Sequence, residues 1–147
     1  MRDFATTPER SRTMSRIRST GNKSTELRMI QLFRSTGIKG WRRHWPVTGR
    51  PDFAFPSVKI AVFVDGCFWH GHTCRIVVPK HNADYWKAKI QTNRKRDRRV
   101  VQLLRSKGWS VYRFWECSLK GMGELVAAKI KRRIDRANRQ SLSMAPP

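Results

Sequence analysis

The sequence predicts an α/β fold, a central mixed β-sheet flanked by helices, on three observations. Helix-period and strand-type segments alternate in the order α-β-β-α-β-α. The 147 residues suit one domain. Of these, 39% are hydrophobic, with 6 Trp and 7 Phe, enough for a sizeable core. Residues 1–20 read as a basic arm, 21–137 as the single folded domain and 138–147 as a frayed tail ending in Pro146-Pro147.

The elements follow in order. Thr7-Pro8-Glu9 would open a short helix in the arm, with Pro at its first position. Leu27, Ile30 and Phe33 recur at helical spacing with Met29 beside them; Ser24 or Thr25 is the cap and Gly37 the stop. The stretch 41–45 is a short, ambiguous strand. Asp52–Phe55 and Lys59–Asp65 are rich in aromatic and β-branched residues, and Pro56-Ser57 splits them into a hairpin. Residues 67–81 lack a clear period. Asn82 caps a long helix to about Lys107, with Tyr85, Trp86, Ile90, Val100, Leu103 and Leu104 as its apolar stripe and Gly108 at its end. Trp109–Trp115 is the third good strand. A last helix follows Gly123, with Val126, Ile130 and Ile134 on one face.

Charge narrows the partner. The 32 Lys and Arg against 10 Asp and Glu give +22. Residues 1–40 net +6, 41–81 +4, 82–117 +7 and 118–147 +5, so the folded body itself is cationic. Nucleic acid is the favoured partner. An anionic membrane fits less well, because no helix pairs a basic face with a Trp/Leu/Phe face. No apolar run approaches a membrane span, and no apolar signal core follows the basic N-terminus; a cytoplasmic protein is expected.

Three cysteines argue against a closed disulfide framework. Cys67-x4-His72-x-Cys74 with distant Cys117 makes a Cys3His set, suited to structural zinc. His70 is a rival ligand, and buried free thiols are the alternative. The acidic residues are few enough to weigh singly. Asp52 opens one strand and Asp65 ends the next, so the hairpin would bring two carboxylates to one edge, as Mg²⁺-dependent phosphodiester cleavage needs. Asp65 before Gly66 also reads as turn chemistry. His70 has an imidazole that titrates near neutral pH and can activate water. Glu26 either supports the site or favours its helix's dipole. Asp97, alone in the run 94–99, offsets the arginines or orients a histidine. Phe68 and Trp69 would wedge between bases, and Trp86 would either join them or pack the core.

Several segments together resemble the very-short-patch-repair (Vsr) DNA mismatch endonucleases. They are Gly49-Arg50-Pro51-Asp52-Phe53, the run from Val62 through Gly66-Cys67-Phe68-Trp69-His70-Gly71-His72 to Cys74, and Phe114-Trp115-Glu116-Cys117. Lys89-Ile90, the 93–99 run and the arm's Arg10-Ser11, Met14-Ser15 and Ile17 match as well. The likeness covers about residues 8 to 121. It implies a restriction-endonuclease-like core and strand-specific nicking of DNA at T:G mismatches left by deaminated 5-methylcytosine. It further implies that Asp52 holds the catalytic Mg²⁺, His70 is the general base, and Glu26 and Asp97 support it. Cys67, His72, Cys74 and Cys117 would hold zinc, Phe68, Trp69 and Trp86 would intercalate, and the arm with Arg12 and Arg16 would clamp the duplex. Mismatched duplex DNA is the implied partner of a monomer, with a repair mediator or a cytosine-5 methyltransferase as functional links.

Some family members carry Thr-His where this chain has Val64-Asp65. A lysine two residues beyond the second acid, frequent in nucleases of this fold, is replaced by Cys67. Asp65 is therefore expected to join Asp52 at the metal while His70 does the base work. Two other readings compete: a related nuclease for other lesions or invading DNA, and a non-catalytic zinc-containing DNA-binding module.

Overall fold

The computed structural model of the chain describes residues 25–67, 72, 74 and 82–144. The arm with Arg12 and Arg16, and the loop positions Phe68, Trp69 and His70, lie outside them.

Helix α1 (Glu26–Thr36) buries Met29, Ile30 and Phe33, and Gly37 ends it in the left-handed conformation at φ 71°. Thr25 precedes it without a side-chain cap; its carbonyl accepts the Met29 N–H at 3.1 Å instead. Strand β1 (Arg42–Arg43) is only two residues long, because His44 turns the chain at φ 49°. Trp41, in front of it, packs tilted against Phe33 and edge-on against Phe53, with ring centres 5.8 and 5.7 Å apart. β2 (Phe53–Phe55) and β3 (Ile60–Asp65) form the expected antiparallel hairpin, with Phe53 opposite Val62. Their connection is a single 3₁₀ turn, Pro56–Val58, closed by Lys59 at φ 50°.

Helix α2 (Ala83–Ser106) then returns the chain so that β4 (Ser110–Trp115) runs parallel to β3, from Ile60–Ser110 to Asp65–Trp115. A parallel neighbour needs such a long crossover. The sheet order β1-β2-β3-β4 is therefore mixed, and β3 is buried along its whole length. Alternation along β3 sorts the core. Ile60, Val62 and Val64 meet α1 and the C-terminal helix, while Ala61 and Phe63 meet Leu104 and Val100 of α2.

Two elements differ from the sequence expectation. A short helix α3 (Glu116–Gly121) follows β4 directly; six residues are too few to show a period. The last helix α4 (Gly123–Ser143) runs beyond Asn138, where the tail was expected to begin, since no helix-stopping residue occurs before Pro146. Its residues from 138 onward are exposed. Among the described residues, no helix is long and apolar enough to cross a membrane.

Candidate active site and metal-ligand cluster

The loop before β2 is pressed against α2. Val47 packs in the core on that side, Lys107 donates to the Thr48 hydroxyl at 2.7 Å, and Gly49 passes so close that a Cβ there would lie 2.3 Å from a Val100 methyl. This fixes Asp52 at the mouth of the hairpin, half-buried, where its Oδ2 accepts the Val64 N–H at 2.7 Å. Desolvation raises its pKa from 3.8 to about 6, against that hydrogen bond, which lowers it. The charges of Glu26 and Asp65 raise it further, and Arg113 lowers it. Three carboxylates thus share one neighbourhood, an arrangement that a cation would relieve. The donor set is all oxygen, which suits Mg²⁺.

Asp65 ends β3 and is buried. Both its oxygens accept from one guanidinium: Arg113 Nε to Oδ2 and Nη2 to Oδ1, each at 2.8 Å. The same Nη2 lies 3.2 Å from Oδ1 of Asp97 on α2, and the guanidinium stacks over Phe63 at 4.3 Å. Arg113 therefore bridges the strand-end acid and the helix acid. With Asp52, Gly49 and Arg96 these residues line an open cleft of about 490 Å³. Glu26 stands at the start of α1, buried, ion-paired with Arg43, and His44 Nε2 lies 3.7 Å from its carboxylate.

At the same end of the sheet, Cys67, His72, Cys74 and Cys117 bring their donor atoms within 4.8 Å of one another. Cys67 follows β3, and Cys117 lies in the first turn of α3 after the parallel strand β4. The Cys67 carbonyl accepts the His72 N–H at 2.8 Å, and the His72 ring stacks on Trp115 with centres 4.3 Å apart. His72 Nδ1 lies 2.9 Å from Cys74 Sγ and 3.5 Å from Cys117 Sγ. Donors around a zinc ion at ordinary bond lengths stand roughly 3.5–4 Å apart, so the cluster can hold such a metal. Desolvation by the cluster, with hydrogen bonds and charge from Cys67 and Cys117, pushes the Cys74 thiol from 9 up to about 11. A cation at the centre reverses that crowding.

Asp52, Asp65, Asp97 and Glu26 are thus gathered at one end of the sheet, and the four cysteine and histidine ligands form one group. Trp86 is buried, edge-on to exposed Tyr85. Phe68, Trp69, His70, Arg12 and Arg16 fall outside the described residues. Three partners escaped the sequence reading. Arg113 was legible as the one charge inside the strand 110–115, sharing a face with Val111. The pairing of Arg43 and His44 with Glu26 left no sequence signal, because it depends on the bend at His44.

Carboxylates gathered at the end of paired strands, in a chain of +22, suit a nuclease. The chain belongs to the family described as DNA mismatch endonuclease Vsr, which matches residues 2–76, and it is a DNA endonuclease. It is similar to "Type II nicking enzyme V.XorIIP" of Xanthomonas oryzae pv. oryzae, 43% identical over 82% of this chain and 89% of that protein. It is similar also to "DNA mismatch endonuclease Vsr" of Escherichia coli K12, 33% identical over 92% of this chain and 86% of that protein. "Type II nicking enzyme V.NmeDIP" of Neisseria meningitidis serogroup C is 34% identical over 96% of this chain and 95% of its own length.

Proposed function

We propose that this endonuclease nicks one strand of duplex DNA at a T:G mismatch, by Mg²⁺-assisted hydrolysis of a phosphodiester bond. The observation that carries the reading is the grouping of Asp52, Asp65 and Glu26 at one sheet end, close enough that the other two raise the pKa of Asp52. Asp52 would hold Mg²⁺ with Asp65 beside it; Arg113 occupies one lone pair on each Asp65 oxygen, and a carboxylate has more to offer. When bound, the ion polarises the phosphate and stabilises charge on the attacking and leaving oxygens.

The chain's own residues supply the rest. His70 takes the proton of the attacking water while the bond from phosphorus to one sugar oxygen breaks. Glu26 and Asp97 support the site, Glu26 by holding Arg43 and His44, and Asp97 through Arg113. Cys67, His72, Cys74 and Cys117 hold a structural zinc, which fixes the loop that carries Phe68, Trp69 and His70. Phe68 and Trp69 wedge beside the mismatch. Trp86, buried in the free protein, would join them on leaving that position. The arm with Arg12 and Arg16 grips the backbone. The enzyme acts as a cytoplasmic monomer, linked functionally to a cytosine-5 methyltransferase or a repair mediator.

The test is a nicking assay on matched, T:G and otherwise mismatched duplexes, with Mg²⁺ and with EDTA. Nicking confined to T:G in Mg²⁺ is expected, and Asp52→Ala should abolish it while duplex binding persists. Equal cutting of matched duplex would move the assignment to a nuclease with another DNA target. Binding without cutting in any divalent metal would leave a DNA-binding module.

A further inference from the structure

We infer that Arg113 is a catalytic residue, a fixed cation in the cleft whose free edge contacts the phosphate to be cut; the inference rests on the active-site reading given above. Asp52, Asp65, Asp97 and Glu26 make this end of the sheet acidic, and a phosphate cannot approach four carboxylates without positive charge to meet it. The position two residues past Asp65 is Cys67, which sits in the sulfur cluster and supplies no charge of that sign. Arg50 and Arg96 also line the cleft, but the cation held between its carboxylates comes from the neighbouring strand. Arg113 is paired with Phe63, two positions before the Asp65–Trp115 pair, and shares the α2-facing side of the sheet with Phe63.

Its guanidinium is immobilised from three directions. Nε and one Nη2 hydrogen are taken by Asp65, the second Nη2 contact is Asp97, and Phe63 lies under the plane. Nη1, with two N–H donors, has no bond to any described residue, while the side chain remains 21% exposed and lines the same cleft as Asp52. Anchoring Asp65 alone would need only one carboxylate. Holding an arginine between two of them, with one nitrogen left over, preorganises a donor pair for an anion.

The contact can be read without cleavage. A set of duplexes, each with one neutral methylphosphonate at a successive position, is titrated in EDTA with wild type, R113M and R113K. In wild type, neutralising the phosphate seated in the cleft should weaken binding about 10- to 100-fold. R113M should lose that sensitivity at that position and keep the rest of the profile. Since R113M takes the guanidinium away from buried Asp65, the charge-balanced D65N/R113M protein is scanned beside it, with circular dichroism as the check on folding, and should give the same flattened position. In Mg²⁺, single-turnover nicking by R113M should fall about 10²- to 10³-fold, and R113K should recover part of it. A wild-type scan with no sensitive position, or R113M and double-variant scans that keep the wild-type profile, overturn the assignment. Failure of wild type to nick any duplex removes the proposed function instead, while the binding scan still reports on Arg113.

Discussion

Asp52 holds its negative charge at a cost. Its proton is bound with a pKa of about 6 in the folded chain against 3.8 as a free carboxyl, chiefly because burial desolvates it. Between those two values the folded state carries more protons than the unfolded one, so stability falls as pH rises from about 4 to about 6 and stays lowered above. The penalty at neutral pH is on the order of 3 kcal/mol. Asp52→Asn removes the charge and retains an oxygen for the Val64 N–H. It should therefore raise the melting temperature at pH 7 by several degrees in metal-free buffer while lowering nicking about 100-fold or more. At pH 4 the stability gap should close. A variant less stable than wild type at pH 7 would contradict this account of the site. With Asp52 as the proposed metal ligand, the same shift should set the acid side of the activity profile. Nicking should fall as pH drops below about 6, and because a bound cation favours the ionised carboxylate, raising Mg²⁺ should move that fall to lower pH. Profiles that coincide at low and high Mg²⁺ would separate Asp52 from the metal.

Elements, more than individual contacts, deliver Asp52 to its place. The loop before β2 passes over α2 at Gly49, where φ is 78° and a side chain would strike Val100. Gly49→Ala should cost about 2–4 kcal/mol, from the left-handed backbone and the overpacking together, visible as a melting temperature lowered by roughly 5–10 °C. An unchanged midpoint would mean that the loop is not held by α2. How far each element was legible follows from the same physics. β3 reads plainly because Ile60-Ala-Val-Phe-Val64 is buried on both faces and so is nearly all apolar. The 82–107 helix and the hairpin were readable from period and punctuation. β1 was not, since its two residues are arginines whose pairing with β2 is set by the bend at His44. α3 was too short to show a period. At the site, Asp52 and Asp65 were legible because acids are rare in this chain, and the hairpin joins them. Arg113 was passed over as one more cation among 32, although a charge inside an apolar strand is a different object from a charge on a helix surface.

At the scale of the whole molecule, the +22 charge suits a sequence-independent grip on DNA, and the proposed chemistry sits at a few acids. Contact with about eight phosphates would give a slope near −7 for the logarithm of affinity against the logarithm of salt, measured by titrating matched duplex at several salt concentrations. A slope near zero would detach the charge from DNA binding. The sulfur cluster sets a different dependence. It lies where β3 and β4 end side by side, and it brings Cys67, His72 and Cys74 to Cys117 at the start of α3. Three thiolates this close repel one another, as the raised Cys74 pKa records, so a cation bound among them would stabilise the closed arrangement. Metal analysis should find about one zinc per chain. Stripping it with a strong chelator should lower the melting temperature by more than Gly49→Ala does, because a structural zinc contributes roughly 10 kcal/mol in small modules. Cys117→Ser should reproduce the loss without a chelator, while Asp52→Asn should leave zinc content at one. A metal-free protein with an unchanged melting temperature would reduce the cluster to a set of packed thiols, and the loop bearing Phe68, Trp69 and His70 would then need another anchor.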